Sequence, residues 1–195
     1  LAEPAEDVAE RVNGTITAVR TGGDRTLIEL TERFDGARLE GLRVAGERLR
    51  AASDSLDEAT ADALRVAAEN VRAVAQAQPG RGPTRVELPQ GHAVTVRQVP
   101  VGAAAVYVPG GGAAYPSSVL MGAIPARVAG VERVVVTTPP GADGEVPAVV
   151  LAACDLVGAD EVFSVGGAQA IAMLAYGTET VDAVDVIAGP GSAWV

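Results

Sequence analysis

Four glycine-rich turns in the second half of the chain each follow a run of apolar, mostly β-branched residues. The turns are Val108-Pro109-Gly110-Gly111-Gly112, Thr138-Pro139-Pro140-Gly141, Val165-Gly166-Gly167-Ala168-Gln169 and Ala188-Gly189-Pro190-Gly191. Glycine before a helix lets a polar or anionic ligand approach the unpaired N–H groups of the first helical turn. Open parallel sheets bind ligands at the edge where such turns lie. The turns therefore predict a ligand crevice, although the same glycines could serve only to make tight connections between strands and helices.

These turns do not match the usual nucleotide signatures. The dinucleotide pattern Gly-x-Gly-x-x-Gly opens a helix and is followed about 20 positions later by an acidic residue. Here Gly110-Gly111-Gly112 is followed by Ala113-Ala114-Tyr115, so the third glycine is missing, and no P-loop with its lysine occurs. The pattern alone predicts where a ligand binds but not which ligand.

Few other residues could carry chemistry. Cys154, the only cysteine, lies among apolar residues of a predicted helix, and we interpret it as inert core in a reducing, cytoplasmic protein. His92, the only histidine, lies beside a predicted hairpin turn, and one His with one Cys cannot supply a familiar zinc ligand set. Asp182 and Asp185 flank the last predicted strand, where a solvated rim is favoured. No catalytic residue and no metal ligand is predicted within this chain.

Composition excludes several classes of protein. The chain carries 25 acidic and 15 basic residues, for a net charge of −10, which disfavours binding to nucleic acids and to anionic membranes. No apolar run reaches the roughly 20 residues of a membrane span, and the acidic start does not resemble a signal peptide. Apolar residues make up 48% of the chain and aromatic residues only 3%. This balance favours helices packed on a β-branched sheet.

The hydrophobic pattern of the second half predicts alternating strands and helices. Strands are expected at 103–108, 133–137, 161–165 and 183–188, with helices near 117–129, 145–157 and 168–176. Continuous runs such as Val134-Val135-Val136 are typical of parallel strands buried on both faces. Four such strands would form half of a doubly wound fold.

The first hundred residues are predicted to be mostly helical. One helix is expected to end at Gly22-Gly23 and a second to run from Asp24 to Asp35-Gly36. A third is expected to start at Asp54 or Ser55, with a short strand near 39–44 and a hairpin near 85–88 and 93–99. The predicted fold is α/β: a helical amino-terminal region with a short hairpin (1–100), followed by an incomplete Rossmann-like parallel βαβαβαβ sheet (101–195) that would bind the cofactor.

Five segments, in their order and spacing, carry a resemblance to a known family. They are Glu29-Leu30-Thr31-Glu32-Arg33-Phe34-Asp35-Gly36, Tyr107-Val108-Pro109-Gly110-Gly111, Tyr115-Pro116-Ser117-Ser118-Val119-Leu120-Met121, Val165-Gly166-Gly167-Ala168-Gln169-Ala170-Ile171-Ala172 and Gly189-Pro190-Gly191. They resemble bacterial histidinol dehydrogenase, and the resemblance covers nearly the whole chain. The abrupt apolar end at Ala193-Trp194-Val195, and Leu1 in place of Met, suggest a segment cut from a longer protein.

The resemblance implies a zinc-dependent, domain-swapped homodimer that oxidises L-histidinol to L-histidine through the aldehyde, using two NAD molecules. It implies NAD contacts at Tyr107 and Gln169, and at the residue after Gly-Pro-Gly, where Ser192 replaces the family's Asn. Judged from the residues alone, Tyr107 would be a packing residue at a strand end, and Gln169 would bond its own backbone. The family's zinc ligands and acid–base pair would follow Val195, so we expect the isolated chain to lack turnover.

Two alternatives remain at this point. The chain could belong to a relative that oxidises another polar alcohol, because the residues that read the substrate would also follow Val195. It could instead be a non-catalytic nucleotide-binding or assembly module. A coding sequence that continues with His and Glu residues after Val195 supports an enzyme, whereas a stop codon supports the module.

Overall fold

The computed structural model describes residues 6–78, 82–110, 113–192 and 194–195. Gly111 and Gly112 of the first glycine turn lie outside the described residues. The elements are α1 (Glu6–Asp35), α2 (Gly46–Ser55), α3 (Glu58–Ala77), β1 (Thr84–Glu87), β2 (Ala93–Val96), β3 (Ala103–Tyr107), α4 (Pro116–Ala129), β4 (Arg133–Thr137), α5 (Ala148–Leu156), β5 (Glu161–Phe163), α6 (Gly167–Tyr176) and β6 (Val186–Ala188).

The four predicted strands of the second half form one parallel sheet in the order β5-β4-β3-β6. β4 and then β5 lie on one side of β3, and β6, which comes last in the chain, lies on the other side of β3. This is the order of the first four strands in a doubly wound dinucleotide-binding sheet, and its switch point lies between β3 and β6. The predicted α/β class and Rossmann-like sheet are confirmed.

Side-chain alternation along the strands divides the interior into two cores. Ala104 and Val106 of β3 point to the face covered by α2, α3, α4 and α5. Ala105 and Tyr107 point to the opposite face, which α1 and α6 cover. Because residues of both 1–100 and 101–195 build each core, the helices of the first region hold the sheet from both sides. The division at residue 100 stays a prediction.

Strands β5 and β6 are shorter than predicted because other partners take their terminal residues, and α5 is shorter at its amino end. Ser164 donates its backbone N–H to Leu42, so β5 ends at Phe163. Val184 donates to Leu174 at the end of α6, and β6 begins only at Val186. The helix expected near 145–157 begins at Ala148, after Pro147.

The amino-terminal region shows one missed helix and one wrong boundary. The expected start of the third helix at Asp54 or Ser55 is wrong, because those residues end α2, which the sequence analysis did not predict. Asp57 caps α3 instead, accepting a hydrogen bond from the Thr60 N–H at 2.9 Å. The expected strand near 39–44 forms only one antiparallel bridge, between Arg43 and Phe163.

The predicted hairpin is confirmed as the antiparallel pair β1 and β2, whose residues are all exposed. None of the described helices is long and apolar enough to cross a membrane.

Charged side chains fix the amino ends of the parallel strands. Asp185 accepts a hydrogen bond from the Ala103 N–H at 2.8 Å and so links β6 to the start of β3. Asp160 accepts from the Val134 N–H at 2.7 Å and pairs with Arg127. Arg133 donates to the carbonyl of Asp182 at 2.6 Å. Asp182 and Asp185 therefore lie at the rim opposite the glycine turns.

We expect Gly23→Ala to destabilise the fold. Gly23 interrupts α1 at φ 57° and ψ −144°, a conformation essentially restricted to glycine, and a Cβ there would collide with the carboxylate of Glu179. Glu179 also accepts a hydrogen bond from the Asp24 N–H, which restarts the helix. The expected loss is about 1–3 kcal/mol in the free energy of unfolding, measured by urea denaturation.

Gly14→Ala is the matched control, because Gly14 is helical and a Cβ there meets nothing within 4 Å. This variant should be more stable than wild type by up to about 1 kcal/mol. Equal effects of the two substitutions would contradict the role of Gly23.

We expect Cys154 to be unreactive in the native protein. The side chain is fully buried in α5, and burial raises the pKa of its thiol to about 12. The thiolate that attacks alkylating reagents is therefore suppressed. Because the thiol pKa is higher in the folded protein than in the unfolded chain, where it is about 9, this group does not reduce the free energy of unfolding below pH 9. The free energy of unfolding then falls as the pH rises toward 12. Iodoacetamide at pH 8 should label the chain only in urea, and rapid native labelling would contradict the buried position.

Candidate functional site

The glycine turns meet at one cavity of about 800 Å³. Its lining includes residues that follow each of the four parallel strands, so the predicted crevice at the carboxyl edge is present. The lining residues are Asp35, Tyr107, Pro109, Gly110, Ala113, Ala114, Thr138, Pro139, Pro140, Gly141, Ala142, Pro147, Val150, Gly167, Pro190, Gly191, Ser192, Trp194 and Val195. The cavity lies over the switch point between β3 and β6, which is the ligand position of this class of sheet.

Two glycines are required for space around Pro139. A Cβ on Gly166 would lie 2.5 Å from the Pro139 ring, and a Cβ on Gly110 would also overlap it. These glycines let the turns after β3 and β5 close on the turn after β4. This close packing around Pro139 forms one wall of the cavity. The two glycines are therefore needed to shape the cavity and not only to make sharp turns.

Tyr107 is the last residue of β3 and has only 6% of its surface exposed. Its hydroxyl oxygen accepts a hydrogen bond of 3.1 Å from the N–H of Gly167, the first residue of α6. Burial raises the pKa of this hydroxyl, the Gly167 bond lowers it, and the charge of Asp35 raises it. The net direction is upward, so Tyr107 is neutral near pH 7 and keeps an O–H that can donate to a ligand.

Gln169 lies two residues beyond Gly167 in α6 and is 2% exposed. Its amide approaches Gly167 closely, since a Cβ at Gly167 would lie 2.7 Å from the Gln169 Oε1. Gln169 lines a second cavity of about 300 Å³ between α1 and α6, with Arg11, Val12 and Phe34 among its other walls. Asp35, Gly167 and Trp194 line both cavities. Tyr107 and Gln169 therefore line two neighbouring cavities that share Gly167 in their walls.

Ser192 is exposed in the turn after β6 and lines the main cavity. Its hydroxyl oxygen accepts a hydrogen bond of 3.2 Å from the Trp194 N–H. The hydroxyl hydrogen remains able to donate to a ligand. The structure thus brings Tyr107 and Ser192 to one cavity and places Gln169 in the adjoining one.

Asp35 is the site residue that sequence reasoning missed. In the sequence, Asp35-Gly36 indicated only the end of a helix. In the fold, the end of α1 lies beside Tyr107 and Gly167, and Asp35 is the one charged side chain among the described residues that line the main cavity. No local pattern could reveal this contact, because it depends on how α1 packs against α6.

The remaining candidates from the sequence do not contribute to either of these cavities. Cys154 is in the core, as predicted, and His92 is exposed beside the hairpin turn. Among the residues that the structure describes, no three His, Cys, Asp or Glu side chains are grouped so that they could hold a metal ion. The described part of the chain therefore does not fit a zinc centre.

Comparisons with known proteins agree on one family. The family model for histidinol dehydrogenase matches residues 2–195. Histidinol dehydrogenase of Methanothermobacter thermautotrophicus is 46% identical over 198 residues, an alignment that covers 97% of this chain and 44% of that protein. The enzyme of Geobacillus kaustophilus is 47% identical over 190 residues and is covered to 45%.

A solved structure gives the same result for the fold. The crystal structure of histidinol dehydrogenase from Elizabethkingia anophelis superposes with a TM-score of 0.92 at 30% sequence identity, covering 100% of this chain and 45% of that one. The chain spans less than half the length of these relatives. By sequence and by fold, this chain belongs to the histidinol dehydrogenase family.

Proposed function

We propose that this chain is the NAD-binding part of a histidinol dehydrogenase. The observation that carries the proposal is the cavity of about 800 Å³ at the switch point of the sheet, lined by the turns that follow all four strands. Its volume lies in the range of sites for small molecules and cofactors. Residues of the glycine turns line this cavity, and a dinucleotide site requires such a close approach between ligand and backbone.

Tyr107, Gln169 and Ser192 are proposed to contact the cofactor. Tyr107 would use its remaining O–H as a donor, while its bond to the Gly167 N–H holds the ring in place. Ser192 would donate from a hydroxyl that the Trp194 N–H already orients. Gln169 offers an amide that can both donate and accept, from a helix start that β5 and β3 fix together.

The reaction proposed for the whole protein follows from its membership of the family. L-Histidinol would be oxidised to L-histidine through the aldehyde, with bound NAD as the hydride acceptor in each step. The residues described here would bind and orient the cofactor and exclude water from one side of it. The resemblance assigns the zinc ligands to sequence beyond Val195. The homodimer belongs to the same proposal.

We expect NAD to bind this chain and to bind more weakly after substitution of the proposed contacts. Tyr107→Phe, Gln169→Ala and Ser192→Ala each remove a polar group, and loss of one hydrogen bond lowers affinity about two- to tenfold. Tyr176→Phe is the matched control, because Tyr176 is exposed at the far end of α6 beside Arg20. Calorimetric titration checks the series. If all four variants bind NAD as wild type does, these contacts are not part of the site.

We also expect the 195-residue chain to form no NADH from histidinol, even with zinc added. The physical reason is that the proposed segment orients the cofactor, whereas the resemblance places the groups that hold substrate and move its proton in another segment. Absorbance at 340 nm measures the reaction, with a full-length relative as positive control. Sustained turnover by the isolated chain would contradict the proposed division of roles.

A further inference from the structure

Asp35 presents an unsatisfied carboxylate oxygen where the two cavities meet. Its Oδ2 is shielded from solvent, and no hydrogen-bond donor among the described residues contacts it. Asp35 ends α1, where the helix dipole is negative and gives a carboxylate no support. Burial raises its pKa, which agrees with this lack of compensation. A shielded polar atom without a partner is costly, so a site that keeps one is suited to a ligand that supplies the donor.

The surroundings of Asp35 define the chemistry of that donor. Asp35 is the only charged side chain among the described lining of the main cavity, so the space next to its carboxylate disfavours a phosphate and favours neutral hydroxyl groups. A carboxylate accepts hydrogen bonds and cannot donate them, so it favours a ligand that carries hydroxyl donors, such as a vicinal diol. The ribose of a nucleotide is such a diol.

Other dinucleotide-binding sheets bind a ribose hydroxyl with an acidic residue that follows the first glycine turn by about 20 positions. In this chain, the turn after the next strand, β4, contains no carboxylate at 138–141, and Asp143 and Glu145 later in the same loop are not among the described residues that line the main cavity. Asp35 reaches the cavity from a different element, the end of α1. The carboxylate that the glycine pattern lacks is thus supplied by the amino-terminal region.

We propose that Asp35 is a specificity residue whose carboxylate accepts hydrogen bonds from the hydroxyls of a ribose of the bound dinucleotide. The inference rests on the proposed NAD site. If the ribose is that of adenosine, the same charge disfavours a 2′-phosphate and selects NAD over NADP. Arg11 has the opposite effect to Asp35, because its positive charge would attract a phosphate. Arg11 lines the second cavity, and its guanidinium lies over the Trp194 ring, 5.0 Å from the ring centre.

The test compares wild type with Asp35→Asn, which keeps the size of the side chain and removes its charge. Calorimetric titration of NAD should show about tenfold weaker binding by Asp35→Asn, the usual effect of losing a charge-assisted hydrogen bond. Glu32→Gln is the matched control, because Glu32 is an exposed carboxylate on α1 that lines neither cavity. Its NAD affinity should equal that of wild type.

Smaller probes identify the ribose. If Asp35→Asn weakens binding of adenosine 5′-monophosphate, Asp35 contacts the adenosine ribose. The variant should then bind adenosine 2′,5′-bisphosphate more tightly, relative to adenosine 5′-monophosphate, than wild type does. If Asp35→Asn weakens nicotinamide mononucleotide instead, the nicotinamide ribose is bound. Arg11→Gln should reduce affinity for the bisphosphate without changing the effect of Asp35→Asn on the monophosphates.

A readout on unmodified protein guards against misfolding of the variant. Wild type should bind adenosine 5′-monophosphate or nicotinamide mononucleotide about tenfold more tightly than its 2′-deoxy analogue. The inference is overturned if wild type binds each mononucleotide and its 2′-deoxy analogue with equal affinity. It is also overturned if Asp35→Asn binds NAD and both mononucleotides with the affinity of wild type. Such a result, with Tyr107→Phe still impaired, leaves the proposed NAD site standing. Failure of wild type to bind NAD overturns both.

Discussion

The alternation of side chains along β3 is the constraint on which the rest of the structure depends. β3 lies between β4 and β6, and all five of its residues are buried, so each must fit one of two crowded faces. Small residues at 103–105 let helices approach the strand, and Gly122 of α4 packs where a Cβ would overlap Val106. The same alternation sends Tyr107 to the face of α1 and α6, where its hydroxyl meets Gly167. A shift of one residue would exchange the faces and remove Tyr107 from the site.

The sequence predicted what depends on local pattern. Apolar runs identified the four parallel strands, and glycine turns identified the edge at which the main cavity lies. Element ends were less accurate where tertiary partners decide them, as at Ser164 and Val184. Helix α2 was missed because only Leu49 and Ala52 are buried along it and its N-cap residue, Ala45, makes no side-chain hydrogen bond.

The candidate site divides in the same way. Tyr107, Gln169 and Ser192 came from the resemblance to a family and not from residue chemistry, since an isolated Tyr at a strand end carries no functional signal. The structure adds the hydrogen bond from the Gly167 N–H to the Tyr107 hydroxyl, which joins the end of β3 to the start of α6. Asp35 could not be predicted from the sequence, because its place in the cavity lining arises from the packing of α1 on α6, and only the fold shows that none of the described residues donates to its Oδ2.

The ion pairs and capping carboxylates at the amino ends of the strands bear on how this fold can change over evolution. Asp185, Asp160 and Arg133 tie the start of the sheet to its connecting loops, so strand register is secured at the edge remote from the cavity. Apart from Gly110 and Gly166, which pack against Pro139, turns at the carboxyl edge can then accept insertions and substitutions without loss of register. A family that keeps the first edge constant could exchange ligands at the second, and a protein engineer could graft new loops there while leaving the scaffold intact.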